Sequence, residues 1–401
     1  MDGVNTQHRW HDLDAVRGLA LLLGVALHAS MSFIAPQMWV IKDASSATGL
    51  GVLFFVIHMF RMTTFFVMAG FFAHMLMDKR GLGGFIKNRL IRVGVPLVAF
   101  WPIILTAIIC IMILAYAPPP GTPPAPPAPP PAMTAQTFPL THLWFLYALL
   151  WLYAGTGVLK VLTDMLRVGS ALGKALDAII GFLSRTDLIS ALLILPAFAA
   201  LYNNPTWMMW FGIPTPDTGA VLNLPALAGF TTAFGFGWFL HRSPQLLGHL
   251  AKRWWAYLPA AVVGTVLCLN MVGTVPVFTL VKGSDHTLYL ALYLLTGWSW
   301  TLGLIGGAHA LLKRENPVLR YLSDASYWVY IIHIPVLMGL QLAVRHVAGP
   351  AELKFAGILL ATVMIGLGTY QTMIRYTFVG AILNGRRRKL KRETKGQEVT
   401  A

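Results

Sequence analysis

Ten apolar segments follow one another along the 401-residue chain, and most are close to the length of a membrane-spanning helix. A transmembrane helix needs about 20 predominantly apolar residues. Only 11% of the residues are charged, against roughly 25% in an average soluble domain. The sequence therefore predicts an all-α, polytopic transmembrane bundle of about ten helices. The predicted spans are 15–35, 48–77, 92–116, 141–163, 187–203, 224–241, 255–274, 286–312, 325–346 and 354–378.

The segments between the spans are alternately rich and poor in basic residues. Most lie before the first span, after each even-numbered span and in the C-terminal tail. Because Lys and Arg accumulate in cytoplasmic loops, both termini are predicted to be cytoplasmic. This placement also explains the formal charge of +15, so no nucleic-acid partner is predicted. The segments predicted to be outside hold only Lys42, Lys282, Arg345 and Lys354.

Two segments outside the spans have unusual compositions. Pro118–Pro131 consists almost entirely of proline, alanine and glycine, which is typical of extended polyproline II structure. Residues 1–385 are predicted to form one transmembrane domain. The tract would form most of an external loop of this domain, residues 117–139. It would be either a spacer or an insertion without a role. Residues 386–401 are predicted to form a basic cytoplasmic tail that contacts anionic lipid. The two cysteines form no metal-ligand spacing, so no metal site is predicted.

Ionisable side chains on the first span mark a candidate site. Such a residue within a span costs on the order of 2.5 to 3.5 kcal/mol and usually indicates a functional site or an internal polar pair. Arg17 and His28 share nearly the same helix face, about 16.5 Å apart along the axis, and Asp14 lies close to that face. Asp14 and Arg17 also fit a capping and snorkelling pair. His28 lies well inside the span, where the alternative to a functional role is a satisfied structural histidine.

The second and ninth spans carry further polar side chains. His58 and Arg61 share one face of the second span, where Arg61 is too far from either end to reach water easily. An anionic ligand or helix-end carbonyls are the expected partners of its guanidinium. In the ninth span, Ser326, Tyr330 and His333 form a stripe at helical spacing, which fits either a site or an aromatic belt with one hydrogen-bonded histidine.

Arg89 and Arg92 form a small cationic face at the entrance to the third span. The accumulation of basic residues in cytoplasmic loops can by itself explain why these two arginines are present. Together with Arg17, which is predicted to lie on the same cytoplasmic side, they could also receive phosphates. No glycine-rich nucleotide loop of the Walker or Rossmann type is present, so ATP-driven transport has no support.

These motifs together resemble the acyltransferase-3 family of membrane acyltransferases. The family's first span opens with an Asp-x-x-Arg-Gly pattern and carries a histidine eleven residues after the arginine, as do Asp14 to Gly18 and His28. Two of the motifs, His58 to Met62 and His142 to Leu146, are similar to the branch that includes succinyltransferases of osmoregulated periplasmic glucans. The further matches are Phe65 to Phe72, Arg89-Leu90-Ile91-Arg92 before Pro96, His142-Leu143-Trp144-Phe145-Leu146 and Ser326 to His333.

The resemblance implies an enzyme of the bacterial inner membrane that uses cytoplasmic acyl-CoA as donor, without a permanently bound cofactor, and a glycan hydroxyl on the outer face as acceptor. His28 would act as general base, with Arg61 or His58 stabilising the oxyanion, and an acyl-histidine intermediate remains an alternative. The donor would be held by Arg17, Arg89, Arg92 and Asp14. Substrate binding would involve His333, His142, Trp144 and Tyr330.

Two other classes of function fit the transmembrane pattern. A secondary transporter or flippase for an anionic solute would use Arg61 and the histidines as a substrate site and proton relay. The chain lacks the paired broken helices or internal repeat expected of many such transporters. A purely structural or receptor protein would leave His28 and Arg61 without a purpose. The acyl group, the acceptor and the oligomeric state cannot be read from composition.

Overall fold

The computed structural model describes residues 10–117, 133–186, 188–277 and 284–385. In these ranges every regular element is a helix and no β-strand is formed. The proline-rich tract and the basic tail lie outside the described residues. The helices are α1 His11–Ser30, α2 Thr48–Arg89, α3 Val95–Ala115, α4 Trp144–Met165, α5 Gly169–Arg185, α6 Ile189–Tyr202, α7 Leu224–Arg242, α8 Pro244–Val272, α9 Ser284–Leu311, α10 Pro317–Val344, α11 Ala351–Thr369 and α12 Phe378–Asn384.

Over the described residues, the helices confirm the prediction of an all-α chain with several candidate membrane-spanning helices. Within the described residues, seven helical segments are long and apolar enough to cross a membrane, and one of them, Thr48–Ala115, contains both α2 and α3. Helix α6 is apolar but shorter. Every predicted span coincides with a helix. The number of ten spans and the cytoplasmic position of both termini remain predictions.

The connection between α2 and α3 differs from the expected loop. The backbone stays helical from Thr48 to Ala115, except at Gly81, whose φ of 63° and ψ of 180° break the helical path. Glycine adopts this conformation without the steric cost that a Cβ would impose. A π-helical turn, Leu90–Gly94, then leads into α3, and a second one, Tyr370–Ile374, follows α11. Such turns are often found at functional sites.

Two further helix boundaries depart from the apolar pattern. Helix α5 occupies a segment that was predicted to be a connection on the cytoplasmic side. Helix α10 begins at Pro317, before the predicted start of the ninth span at residue 325. The Asn316 side chain caps α10 by accepting hydrogen bonds from the backbone N–H groups of Val318 and Leu319. This helix therefore begins at its cap and not where its apolar face begins.

Helix α1 lies at the centre of the bundle, where it packs against α2, α9, α10 and α11. Its first turns contact the start of α10, where Arg17 Nη2 donates a hydrogen bond to Ser323 Oγ over 3.4 Å. Its last turn contacts the end of α10, because Gln341 Nε2 donates to the His28 carbonyl over 3.2 Å. The two helices therefore run parallel, and the two ends of α1 mark two separate polar regions.

The loop of residues 34–47 folds over the C-terminal end of α1 and is anchored by a buried ion pair. Lys354 Nζ lies 2.8 Å from Asp43 Oδ1, and the two side chains are only 8% and 2% exposed. Burial alone would raise the pKa of Asp43, but hydrogen bonds from Lys354 and Ser45 outweigh it, so this pKa lies below its usual range. The carboxylate therefore stabilises the loop above the ordinary carboxyl pKa, and this contribution is lost as the pH falls.

We expect Asp43→Asn to lower the Tm of the detergent-solubilised protein, because it leaves the Lys354 ammonium buried without its carboxylate. Breaking a buried pair in this way costs about 3 to 5 kcal/mol. The Tm of the unmodified protein should fall as the pH drops below about 4, the ordinary pKa of an aspartate. Asp43→Asn should lack this part of the pH dependence, and adding Lys354→Met should recover stability. An unchanged Tm in the single variant would contradict this account.

Candidate active site

Three histidines from distant parts of the sequence meet at the C-terminal end of α1. His333 Nε2 of α10 lies 3.2 Å from His28 Nδ1 of α1. The His142 ring, from the turn that precedes α4, lies edge-on to His333 with 4.9 Å between ring centroids. His142 and His333 are buried, whereas His28 is partly accessible. The structure thus joins one predicted catalytic residue to two residues predicted to bind substrate.

Backbone carbonyls define which ring nitrogens carry protons. His333 Nδ1 lies 2.6 Å from the Tyr330 carbonyl and His28 Nδ1 lies 2.8 Å from the Gly24 carbonyl. A carbonyl oxygen can only accept, so both neutral rings carry their proton on Nδ1. His333 Nε2 is then an acceptor for His28 Nδ1–H. Within the described part of the chain, this assignment leaves the lone pair of His28 Nε2 without a hydrogen-bond donor, as a general base requires.

Arg61 of α2 lies against the same stretch of α1. A Cβ at Gly24 would collide with Arg61 Nη1, so the guanidinium occupies space that only a glycine leaves open. It is close enough to interact electrostatically with His28. Its Nε is buried and has no hydrogen-bond partner in the described part of the chain. A positive charge with unused donors beside a base suits stabilisation of a developing negative charge.

His58 occupies an aromatic stack one turn from Arg61. Its ring is stacked on Phe54 with 5.3 Å between centroids and 19° between planes. Phe54 in turn stacks on Trp210 with 5.6 Å between centroids. His58 Nδ1 is buried and forms no hydrogen bond within the described residues. This residue is therefore near the histidines but does not share their hydrogen bonds.

The remaining predicted substrate-binding residues have different surroundings. Tyr330 is part of the cluster, since its hydroxyl donates a 2.7 Å hydrogen bond to the His142 carbonyl. Trp144 is 5% exposed and is stacked on Phe230 with 5.7 Å between centroids. These contacts describe a packing position for Trp144, and its role in substrate binding remains a prediction.

The three predicted donor-binding arginines meet at the other end of α1. Arg17 pairs with Asp14 over 3.2 Å and lies over the Phe72 ring, 5.3 Å from its centroid. Arg89 Nη2 donates a 2.9 Å hydrogen bond to the Phe72 carbonyl. Arg92 interacts electrostatically with both Arg17 and Arg89. Residues predicted from separate spans thus form one cationic cluster around Phe72, in which Asp14 orients Arg17.

Two of these arginines also hold structural partners that were not expected. Arg92 directs Nε and Nη2 to the Leu383 carbonyl, at 3.3 and 2.7 Å, and so fixes the C-terminal end of α12. Arg89 lies over the Tyr153 ring, 4.8 Å from its centroid, while its Nε is buried without a partner in the described residues. The cluster therefore combines anchoring contacts with unused donors.

The sequence predictions did not include Gln341, which is fully enclosed beside the histidines. Besides its bond to the His28 carbonyl, its Oε1 accepts a 2.8 Å hydrogen bond from Trp39 Nε1. An amide inside an apolar span was a signal that could have identified it. Trp39 gave no such signal, because the loop that carries it has no periodic pattern.

Comparison with known proteins agrees with the resemblance. The model of an acyltransferase domain, that of the acyltransferase-3 family, matches residues 10–372. Glucans biosynthesis protein C of Salmonella paratyphi A is 25% identical over 352 residues, or 82% of this chain and 83% of that protein. The protein of the same name from Escherichia coli K12 is 32% identical over 141 residues, which span only 36% of its length and 35% of this chain. No solved structure matches the chain.

The family match extends over nearly all the described helices and includes every residue of the histidine and arginine clusters. The resemblance drawn from the short motifs is thereby confirmed. This protein belongs to the acyltransferase-3 family of membrane acyltransferases.

Proposed function

We propose that this protein is an O-acyltransferase of the bacterial inner membrane. It would move an acyl group, succinyl or acetyl, from cytoplasmic acyl-CoA to a hydroxyl of an extracytoplasmic glucan or other glycan. The observation that carries the proposal is that α1 bears a candidate base, His28, beside Arg61 at one end and the arginine cluster at the other. The names of the glucans biosynthesis relatives support a glucan as acceptor.

The arginine cluster supports the donor side of the proposal. Arg17, Arg89 and Arg92 would hold the phosphates of CoA through charge-assisted hydrogen bonds. The helical rise places His28 about 16.5 Å from Arg17 along the axis. An extended pantetheine arm that runs beside α1 would then bring the thioester to the histidine. The phosphates stay with the cationic residues at the membrane surface, and only the pantetheine arm with its acyl group enters the bundle.

The chemistry follows from the lone pair on His28 Nε2. A sugar hydroxyl attacks the thioester carbonyl carbon while Nε2 takes its proton, since the hydroxyl is too weakly acidic to react unaided. Arg61 stabilises the oxyanion of the tetrahedral intermediate. The intermediate then collapses with cleavage of the C–S bond, and the CoA thiolate takes the proton from the imidazolium. The hydrogen bond from His28 Nδ1–H to His333 holds the ring in place and stabilises its cationic form.

Membership of an acyltransferase family favours this reading over a transporter or flippase. The same buried histidines and Arg61 could serve a proton relay, so an activity measurement is needed to separate the two. We expect purified protein in detergent to release free CoA thiol from succinyl-CoA or acetyl-CoA only when a glucan acceptor is added. Thiol release that does not depend on the acceptor, or no release with either donor, would contradict the proposal.

Replacing Arg89 or Arg92 by Ala should raise the KM for the acyl donor by about tenfold with a smaller change in kcat, because uniform binding is lost. Arg92→Ala should also lower the Tm, since the Leu383 carbonyl loses both of its donors from Arg92. Lys252→Ala, which removes an exposed charge predicted to lie on the same side, is the control and should change neither value. An unchanged donor KM in both arginine variants would show that these residues serve topology and structure and do not bind the donor.

A further inference from the structure

The loop of residues 34–47 places a tryptophan beside the candidate base. The indole of Trp39 and the imidazole of His28 are 6.1 Å apart between centroids, with 45° between their planes. Trp39 is partly exposed, and it also packs on the small apolar cluster of Ile41, Ile334 and Met338. An aromatic surface therefore adjoins the reacting end of α1.

A single amide fixes this indole relative to His28. Trp39 Nε1–H donates to Gln341 Oε1 over 2.8 Å, and Gln341 Nε2 donates to the His28 carbonyl over 3.2 Å. The Gln341 side chain is 1% exposed, so it exchanges these partners for water only with difficulty. The amide oxygen and the amide nitrogen are therefore both hydrogen-bonded, and the Gln341 side chain links Trp39 to the last turn of α1.

The part of the loop that directly follows Trp39 is held by residues from three different helix ends. Val40 accepts a 2.6 Å hydrogen bond from the Tyr116 hydroxyl, and Ile41 accepts one of 2.7 Å from the Ser32 hydroxyl. The buried Asp43–Lys354 pair anchors the loop to α11. These contacts come from the ends of α1, α3 and α11. They hold the indole in a fixed position, as a binding residue requires.

We propose that Trp39 binds the acceptor, providing an aromatic surface on which a sugar ring rests while one of its hydroxyls faces His28 Nε2. This inference rests on the proposed function and identifies the acceptor by its chemistry as a pyranose ring. The face of an aromatic ring carries partial negative charge, which attracts the polarised C–H bonds on one side of such a ring. Gln341 is then a positioning residue, because it acts only through Trp39 and His28.

The test compares the KM values of the acceptor and the donor. Trp39→Ala should raise the KM of a linear glucose oligosaccharide about tenfold, which corresponds to about 1.4 kcal/mol, and leave the donor KM unchanged. Trp39→Phe keeps an aromatic face and should stay within about threefold. Gln341→Leu should also raise the acceptor KM alone. Trp151→Ala removes an indole that is 54% exposed on α4 and should change neither value.

A donor-free binding measurement separates this inference from the proposed function. A saturation-transfer NMR titration with the glucose oligosaccharide should show similar affinity for the unmodified protein and Trp39→Phe, and about tenfold weaker affinity for Trp39→Ala. If transfer activity were absent but this pattern held, the sugar site would stand and the proposed function would fail. If activity were normal but Trp39→Ala bound the oligosaccharide with unchanged affinity, or raised the donor KM equally, the role of Trp39 would be wrong.

Discussion

Replacing His28 by Gln is expected to lower kcat for acyl transfer by about 10² or more, while the protein still inserts, folds and binds its donor. The amide keeps much of the size and hydrogen bonding of the ring but cannot accept a proton near neutral pH. Because the proposed role is proton transfer at Nε2, the donor KM and the Tm should change little. Steady-state kinetics and a thermal melt of the purified variant provide both measurements.

The opposite pattern would identify His28 as a structural residue. In that case the Gln variant would show a reduced yield or a lower Tm, with much of its turnover retained. Turnover close to that of the unmodified protein would remove the catalytic role from His28. His58 and His333 would then be the next bases to test, although Nε2 of His333 is already used in accepting a hydrogen bond from His28.

Arg61→Gln should have the second-largest effect, lowering kcat by about 10² to 10³, which is the usual cost of removing an oxyanion donor. The same change should leave the Tm unchanged or raise it. A buried guanidinium with an unpartnered Nε is costly to maintain, so its removal relieves a desolvation penalty. Loss of activity without loss of stability is expected of a residue retained for catalysis.

A second arginine at the same end of the bundle serves as the matched control. Arg345 Nη1 donates a 2.9 Å hydrogen bond to the Ala115 carbonyl, so this guanidinium has a structural partner. Arg345→Gln should therefore lower the Tm and leave kcat nearly unchanged. If Arg61→Gln instead lowered the Tm and retained its activity, Arg61 would have a structural role and no part in oxyanion stabilisation.

Periodicity predicted those parts of the site that lie on one helix. Arg17 and His28 face the same way because both belong to α1, and the helical repeat fixes the angle between their side chains around the helix axis. The positions of the ten apolar segments likewise follow from local composition. Gly81 marks the exception within this pattern, because its backbone breaks the helical path and a further helical stretch follows where a loop was expected.

Contacts between distant segments could not be predicted in this way. His142 and His333 reach His28 only through the packing of the turn before α4 and of α10 against the bundle. Trp144 belongs to the same short motif as His142, but its side chain lies in an aromatic stack. Trp39 lies in a loop with no repeating pattern, so only the fold places it beside His28.

In the proposed mechanism, helix α1 joins a donor site on one side of the membrane to an acceptor site on the other. The most direct measurement uses proteoliposomes with a glucan trapped inside and labelled acyl-CoA added only outside. Because inserted protein faces both ways, the correctly oriented fraction should acylate the trapped glucan, and vesicles carrying His28→Gln should not. Acylation only when glucan and donor share the same compartment would contradict the account.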